Sequence, residues 1–392
     1  MIARVSVASI ALLFAGVASS IAAAPAPPTS DLGATILCYH IVESPQDPRM
    51  EVSREVFRQQ MRYLAMTGYT VIPLRDLFEY ASGKRASLPK NAVVITIDDG
   101  WRSTYTEVFP EMKRRGFPFT VFIYPKIIGQ TPYAMTWKQI KELADAGVDV
   151  QSHTFSHPFL SRHRHAEFSD SEYAAWLERE LKESKRILEK ETGRQIDFLA
   201  YPYGDYDHHV RDSVARAGYE AALTCEYGRV RRGSDPMRMK RVAIEKSMDF
   251  AMFRHLLGAG SLRLEEMSPQ PGHVVDDPNA MITVAAKIPN YKNLDPKSVG
   301  MALMSVSNSI PFAYDPQTGS ISLTIKEVLK GTFQRALVWA TDLRSGQRIE
   351  ASWIIRLPDE QLPIRPAVSD PRMIAPASMT RPLSTASAGT QR

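Results

Sequence analysis

Between residues 34 and 258, short β-branched runs alternate with longer amphipathic segments, and this alternation constrains the fold most. Strands that alternate with helices form a parallel sheet, because each helix carries the chain back across the sheet. Seven or eight such units in one segment favour a distorted (β/α) barrel over an open doubly wound sheet. The strands are predicted at 35–39, 69–72, 92–97, 119–124, 148–151, 196–201, 221–224 and 241–244, and helices at 54–67, 105–115, 137–146, 173–192 and 208–217.

The pattern changes after the barrel segment. From about residue 281, apolar and polar residues alternate in short runs separated by turn sequences such as 315–319, which predicts antiparallel strands. We therefore expect a small all-β sandwich at 279–358, joined to the barrel by a linker at 259–278. Residues 359–392 are rich in proline and small polar residues without apolar periodicity, which predicts a disordered tail.

The first 24 residues predict export. Arg4 precedes an apolar run, and Ala22 to Ala24 provide small residues for cleavage, as in a secretory signal peptide. The run is shorter than the roughly 20 residues that span a bilayer, so no transmembrane span is expected, although an uncleaved anchor is the alternative. We therefore expect a periplasmic or extracellular protein.

The net charge and the cysteine content say little about function. The chain of 392 residues has 48 Lys and Arg against 43 Asp and Glu, and an excess of +5 is too small to predict a nucleic-acid partner. Two cysteines, Cys38 and Cys225, do not form a disulfide framework. Export would permit them to pair, while their apolar, β-rich surroundings favour two buried thiols. The sequence leaves the oligomeric state open.

Two adjacent carboxylates, Asp98 and Asp99, come directly after the predicted strand 92–97. In a parallel barrel, that end of the strand is where active sites lie. Two neighbouring carboxylates repel each other, so the pair favours a site where a metal neutralises one and the other acts as a base. The alternative is an ordinary Asp-Asp-Gly turn.

Two histidines, His153 and His157, follow the predicted strand 148–151. Imidazoles four residues apart can converge on one ion, and with a carboxylate they form the three-ligand site of metal-assisted hydrolysis. Because both motifs follow barrel strands, we expect them at the same face of the barrel. The same ligand set occurs in non-haem iron oxygenases, but an adjacent free carboxylate favours hydrolysis.

These motifs resemble those of the polysaccharide deacetylases, a family of metal-dependent carbohydrate esterases. The resemblance covers about 35–258 and rests on Thr-Ile-Asp-Asp-Gly at 96–100, His-Thr-Phe-Ser-His at 153–157 and Tyr-Pro-Tyr-Gly at 201–204. The third motif resembles the subgroup that acts on biofilm poly-N-acetylglucosamine. The C-terminal segment resembles the immunoglobulin-like modules of bacterial surface and secreted enzymes.

The resemblance implies a hydrolase that removes N-acetyl groups from an N-acetylglucosamine polymer: poly-N-acetylglucosamine, peptidoglycan or a chitin-type chain. It further implies that Asp99, His153 and His157 hold a divalent ion, usually zinc. Asp98 would be the general base, and the backbone N–H of Tyr203 would help to hold the oxyanion.

Three departures from the family pattern leave other functions open. Ala200 stands where many members have an arginine that orients the base, and Arg241 is a candidate substitute, with an ordinary surface or strand-end charge as the alternative. The usual motif for the general acid is missing, and His40 is the candidate for that role or for a substrate contact. The aromatic residues of a fourth motif are also missing. A catalytically degenerate glycan-binding protein and an amidase on a non-carbohydrate amide therefore remain alternatives.

Overall fold

The computed structural model describes residues 33–43, 49–165, 167–275, 281–303, 310–325 and 333–357. The proposed signal peptide and the proposed disordered tail lie outside these residues. Within them, no helix combines the length and the apolar character that crossing a membrane requires.

A parallel eight-stranded sheet with helices forms the first domain, as the alternation predicts. Its hydrogen-bonded order is β10-β1-β5-β6-β7-β8-β9, with β4 also paired to β5, and a parallel bridge from Leu223 to Met239 links β9 to the segment before β10. The eight strands are β1 Thr35–Tyr39, β4 Thr70–Val71, β5 Ala92–Asp99, β6 Thr120–Ile123, β7 Asp149–Ser152, β8 Phe198–Ala200, β9 Ala221–Leu223 and β10 Val242–Ala243, and a short parallel pair, β2 Ile41–Val42 and β3 Glu51–Val52, lies beside them.

Among the described residues, seven α-helices accompany the sheet. They are α1 Arg54–Met66, α2 Leu74–Ala81, α3 Phe109–Arg115, α4 Trp137–Asp145, α5 Asp170–Thr192, α6 His208–Arg216 and α7 Phe250–Gly258. Alternate residues of the strands join different cores, as the two-residue period of a strand requires. Leu37 and Ile95 pack with the outer helices, whereas Ile36 and Val94 pack in a second cluster with Phe78 of α2.

The C-terminal segment forms two four-stranded sheets around one shared core. One sheet has the order β11-β18-β17-β14 and the other β12-β13-β16-β15, and Trp353 and Val284 are core residues from the two sheets. The strands are β11 Gly260–Ser261, β12 Glu265–Ser268, β13 Ile282–Lys287, β14 Leu294–Leu303, β15 Phe312–Tyr314, β16 Ser320–Ile325, β17 Phe333–Asp342 and β18 Arg348–Arg356.

The prediction of a linker at 259–278 is wrong, because β11 and β12 lie in that segment. β11 pairs in parallel with β18, and β12 pairs antiparallel with β13, so the segment contributes one strand to each sheet. Strands of two and four residues are too short to produce a recognisable alternation in the sequence. The second domain therefore begins at the end of α7.

Candidate active site

The central strand β5 positions both carboxylates. Asp98 follows Val94 and Thr96 at two-residue intervals, so it lies on the inner face of the sheet and is 1% exposed. At Asp99 the chain leaves the strand with φ 79°, and Gly100 continues the turn with φ 91°. The two neighbours therefore point in different directions and meet different partners.

Asp98 has a cation on one side and ring nitrogens on the other. Its Oδ1 accepts a hydrogen bond from Nη1 of Arg241 at 2.8 Å, and its Oδ2 accepts from the Cys38 thiol at 3.4 Å. His40 Nε2 lies 4.0 Å and His153 Nε2 3.8 Å from the same Oδ2. Burial alone would raise the pKa of Asp98, but Arg241, His153 and His40 outweigh burial and hold that pKa below its ordinary value. Asp98 is therefore ionised at neutral pH.

Asp99, His153 and His157 converge on one point. Oδ1 of Asp99 is 3.5 Å from Nε2 of His153 and 3.3 Å from Nε2 of His157. Atoms bound to one ion at about 2.1 Å in tetrahedral geometry lie about 3.4 Å apart, so these distances match a shared metal. The same Oδ1 is buried without a hydrogen-bond partner among the described residues, as expected of an atom reserved for a cation.

The surroundings leave the ligand lone pairs available. Nδ1 of His153 lies 2.7 Å from the carbonyl oxygen of Ala200, which can only accept, so the neutral ring keeps its Nε2 lone pair for the site. Burial, with His153 nearby, lowers the pKa of His157 to about 4, which keeps that ring neutral. The indole N–H of Trp101 donates to Oδ2 of Asp99 at 2.9 Å. These three residues therefore fit a divalent metal.

The structure brings the remaining predicted site residues to the same place. Arg241 is fully buried, which excludes the alternative of a surface charge, and its Nε also donates to the Thr224 carbonyl oxygen at 3.1 Å. Tyr203 has φ 58°, and its ring lies 4.7 Å from the ring of His157. His40 reaches Asp98 as described and is 16% exposed.

Apart from the fully buried Arg241, these site residues line one cavity of about 890 Å³. Its walls include Trp101, Tyr124, Trp137 and Tyr203, so flat aromatic surfaces surround the carboxylates. Cys38 and Cys225 are free thiols, the state that their surroundings favour. Sequence reasoning missed two features: the contact of the Cys38 thiol with Asp98, and the cavity residue Arg335, which belongs to the second domain. No local sequence motif identifies either feature, because each depends on a contact between residues that are far apart in the chain.

Comparisons with known proteins agree with this geometry. Residues 85–222 match the sequence model of the family described as polysaccharide deacetylase. The poly-beta-1,6-N-acetyl-D-glucosamine N-deacetylase of Staphylococcus epidermidis is 25% identical over 198 residues, which cover 49% of this chain and 68% of that protein.

Solved structures match the first domain. IcaB from Ammonifex degensii is 26% identical with a TM-score of 0.52, and the match covers 58% of this chain and 98% of that one. The Streptococcus pyogenes deacetylase PplD, solved with acetate, has the same fold at 22% identity and a TM-score of 0.51, over 58% of this chain and 99% of that one.

Proposed function

We propose that this chain removes N-acetyl groups from an N-acetylglucosamine-containing polysaccharide, because residues 85–222 match the polysaccharide deacetylase family and the relatives named above are deacetylases. The observation that carries this proposal is the convergence of Asp99, His153 and His157 beside the ionised Asp98 in one cavity. The name of the Staphylococcus epidermidis relative favours poly-β-1,6-N-acetyl-D-glucosamine as the polymer, with peptidoglycan and chitin-type chains as the comparison substrates.

Asp99, His153 and His157 would hold the divalent ion. Two imidazoles and one carboxylate with an open position are a ligand set typical of catalytic zinc, which we propose as the metal. The bound ion would increase the acidity of the attacking water and polarise the acetyl oxygen.

Asp98 acts as the general base. Its Oδ1 is held by Arg241, so Oδ2 is the oxygen that takes the proton from the attacking water. The water oxygen adds to the acetamide carbon, and the carbon–nitrogen bond then breaks to release acetate and leave an amine on the sugar. His40 would donate a proton to the departing amine, because its Nε2 lies beside the same Oδ2.

Tyr203 would stabilise the oxyanion through its backbone N–H. The turn that contains it uses the N–H groups of Gly204 and Asp205, which donate to Tyr201 and Pro202. Neither of these bonds uses the Tyr203 N–H, and we propose that it donates to the oxyanion. The Tyr203 ring lies 4.7 Å from the ring of His157, which supports a position beside the metal site.

We also propose that the protein works outside the cytoplasm. Residues 1–24 have the charge and apolar pattern of a secretory signal peptide, and the proposed polymers are found in cell envelopes and biofilms.

Acetate release by the zinc-loaded protein tests the proposal, with β-1,6-linked N-acetylglucosamine oligomers, chitin oligomers and peptidoglycan fragments as substrates. His153→Ala should abolish release and Asp98→Asn should lower it about 10²–10⁴-fold. Asp145→Asn, which changes an exposed carboxylate on α4, is the matched control. Zinc binding without release from any acetylated glycan would reject the deacetylase. Turnover of small non-carbohydrate amides alone would instead support an amidase.

A further inference from the structure

The second domain meets the first beside the candidate active site. Ser352 of β18 accepts a hydrogen bond from the Tyr227 N–H at 2.8 Å, and its own N–H donates to the Tyr227 carbonyl oxygen at 3.2 Å. Two arginines of the sandwich, Arg356 and Arg335, reach further toward the site. Their contacts determine what the sandwich does for the barrel.

Arg356, the last residue of β18, is 2% exposed and binds the loop that carries Tyr203. Its Nη2 donates to the Gly204 carbonyl oxygen at 2.6 Å, and its Nε donates to the Tyr206 carbonyl oxygen at 3.1 Å. Its Nη1 lies 2.5 Å from Oδ1 of Asp205. All three guanidinium nitrogens therefore contact the three residues that follow Tyr203.

Asp205 connects this loop to the loop that carries the histidines. Its Oδ2 accepts from the N–H groups of Leu160 and Ser161, both at 2.7 Å, and its carboxylate also accepts from the Ser161 hydroxyl at 2.8 Å. Leu160 and Ser161 lie three and four residues after His157. The fully buried carboxylate thus ties the His157 loop to the Tyr203 loop.

A buried carboxylate with this role needs a positive charge to stay ionised. Burial is the largest effect and raises the pKa of Asp205, but Arg356, the hydrogen bonds from Ser161 and Arg164 at 3.9 Å together outweigh burial and lower this pKa, with Arg356 the largest of them. The guanidinium of Arg356 is therefore the main cation that keeps the carboxylate charged.

Both loops have backbone conformations that need external support. Thr154, His157 and Tyr203 have φ values of 64°, 61° and 58°, in the left-handed region that side chains rarely adopt. Such conformations persist only where surrounding contacts hold them. The contacts of Asp205 and Arg356 provide that support directly after His157 and Tyr203.

Arg335 is a second point at which the sandwich reaches the site. Its Nη2 donates to the Cys225 carbonyl oxygen at 3.0 Å, and its guanidinium lies 4.1 Å from the centre of the Tyr227 ring. The side chain lines the same cavity as Asp98 and His153. The sandwich therefore forms part of the cavity wall as well as supporting its loops.

We infer that the C-terminal sandwich is a working part of the active site and that Arg356 is a positioning residue. Acting through Asp205, Arg356 fixes His157 for metal binding and Tyr203 for the oxyanion. The effect on turnover rests on the proposed deacetylase function, whereas the effect on metal binding does not.

Full-length Arg356→Gln tests this inference, with Arg344→Gln, an exposed arginine in the turn between β17 and β18, as the matched control. The zinc Kd is measured by competition with a chelating dye, and kcat and KM are measured by acetate release at 25 °C. In Arg356→Gln, zinc affinity should fall about 10-fold or more and kcat about 100-fold, because small displacements of ligands and reacting groups have effects of that size. Arg356→Lys should recover part of both, and the control should match the wild type.

A purely stabilising role for Arg356 predicts a different result. The melting temperature of Arg356→Gln would fall, while the folded protein would keep wild-type zinc affinity and kcat, and this outcome would overturn the inference. If Arg356→Gln does not fold, Asp205→Asn/Arg356→Gln removes the uncompensated charge and keeps an amide oxygen for Leu160 and Ser161. Wild-type zinc affinity in that double variant would overturn the inference too. If the wild type deacetylates no glycan, the proposed function fails, and the zinc measurement still decides the role of Arg356.

Discussion

Replacing Arg241 with methionine isolates what a buried cation does for the candidate base. Arg241 is fully buried, and its Nη1 donates to Oδ1 of Asp98 at 2.8 Å. Methionine keeps an unbranched chain of similar length and removes the charge. The Arg241→Met variant therefore leaves the Asp98 carboxylate buried without its cation.

The expected loss of stability is large. Removing one partner of a buried ion pair costs about 3–5 kcal/mol, mostly because the remaining charge is left uncompensated. Asp98→Asn/Arg241→Met should therefore recover most of the loss, since neither side chain is then charged. Arg186→Met on the surface of α5 is the control, and removing its exposed contact with Glu183 should cost at most about 1 kcal/mol.

The pH dependence of the stability that Asp98 contributes should change sign in Arg241→Met. In the wild type, the pKa of Asp98 lies below its unfolded value of about 3.9, so its ion pair stabilises the fold above that pH and is lost as the pH falls through the folded pKa. In Arg241→Met, the cation that most strongly lowers the pKa of Asp98 is absent, so burial raises this pKa. Lowering the pH then protonates the buried Asp98 carboxylate and removes its charge. The stability difference between Arg241→Met and the wild type therefore becomes smaller.

Urea unfolding at pH 5 and pH 8, together with the pH profile of kcat, checks this reasoning. The acidic limb of kcat should move to higher pH, because Asp98 must be ionised to act as a base. An unchanged acidic limb would refute the role assigned to Arg241. A double variant no more stable than Arg241→Met would refute the explanation by an uncompensated charge.

Three further predictions concern the metal ligands and the base. Asp98→Asn should lower kcat about 10²–10⁴-fold, the usual contribution of general base catalysis, while zinc stoichiometry stays unchanged; loss of zinc would instead make Asp98 a ligand. Trp101→Phe removes the N–H donor to Asp99, so zinc affinity should fall about 10–100-fold in a chelator competition, and an unchanged affinity would contradict that role. Because burial lowers the pKa of His157 to about 4, protonation of this ring should not weaken zinc binding until the pH falls to about 4, and an NMR titration of the zinc-free protein that gives His157 the ordinary histidine pKa of about 6.5 would contradict this prediction.

Much of the barrel could be predicted because its signals are local. The strands 92–97 and 221–224 correspond to β5 and β9 within two residues, since buried β-branched runs bounded by turns are distinctive. Helix α2 was missed because its eight residues include only about two turns of periodicity. The predicted helix 105–115 is instead a π-helical turn, Thr104–Val108, that continues into α3.

The convergence of the candidate metal ligands beside Asp98 could be predicted from the sequence for a geometric reason. The carboxyl ends of parallel strands lie at one edge of the sheet, so two motifs that each follow a strand are brought together. Arg335 and Arg356 could not be located in this way. Both lie on alternating strands, where exposed charges are ordinary, and their partners in the first domain are more than 100 residues away in the chain.

Arg241, the cation beside Asp98, shows the same limit of prediction from sequence. Ala200 on β8 leaves the base without the arginine that the family resemblance leads one to expect, whereas Arg241 reaches the same carboxylate from beside β10. Inside a barrel, inward side chains from different strands are neighbours, so any strand can supply the charge. A buried carboxylate needs a nearby cation to stay ionised, but the residue that provides this cation can lie anywhere in the chain. A missing motif residue therefore becomes evidence against activity only when the interior offers no other cation, and in this chain it offers Arg241.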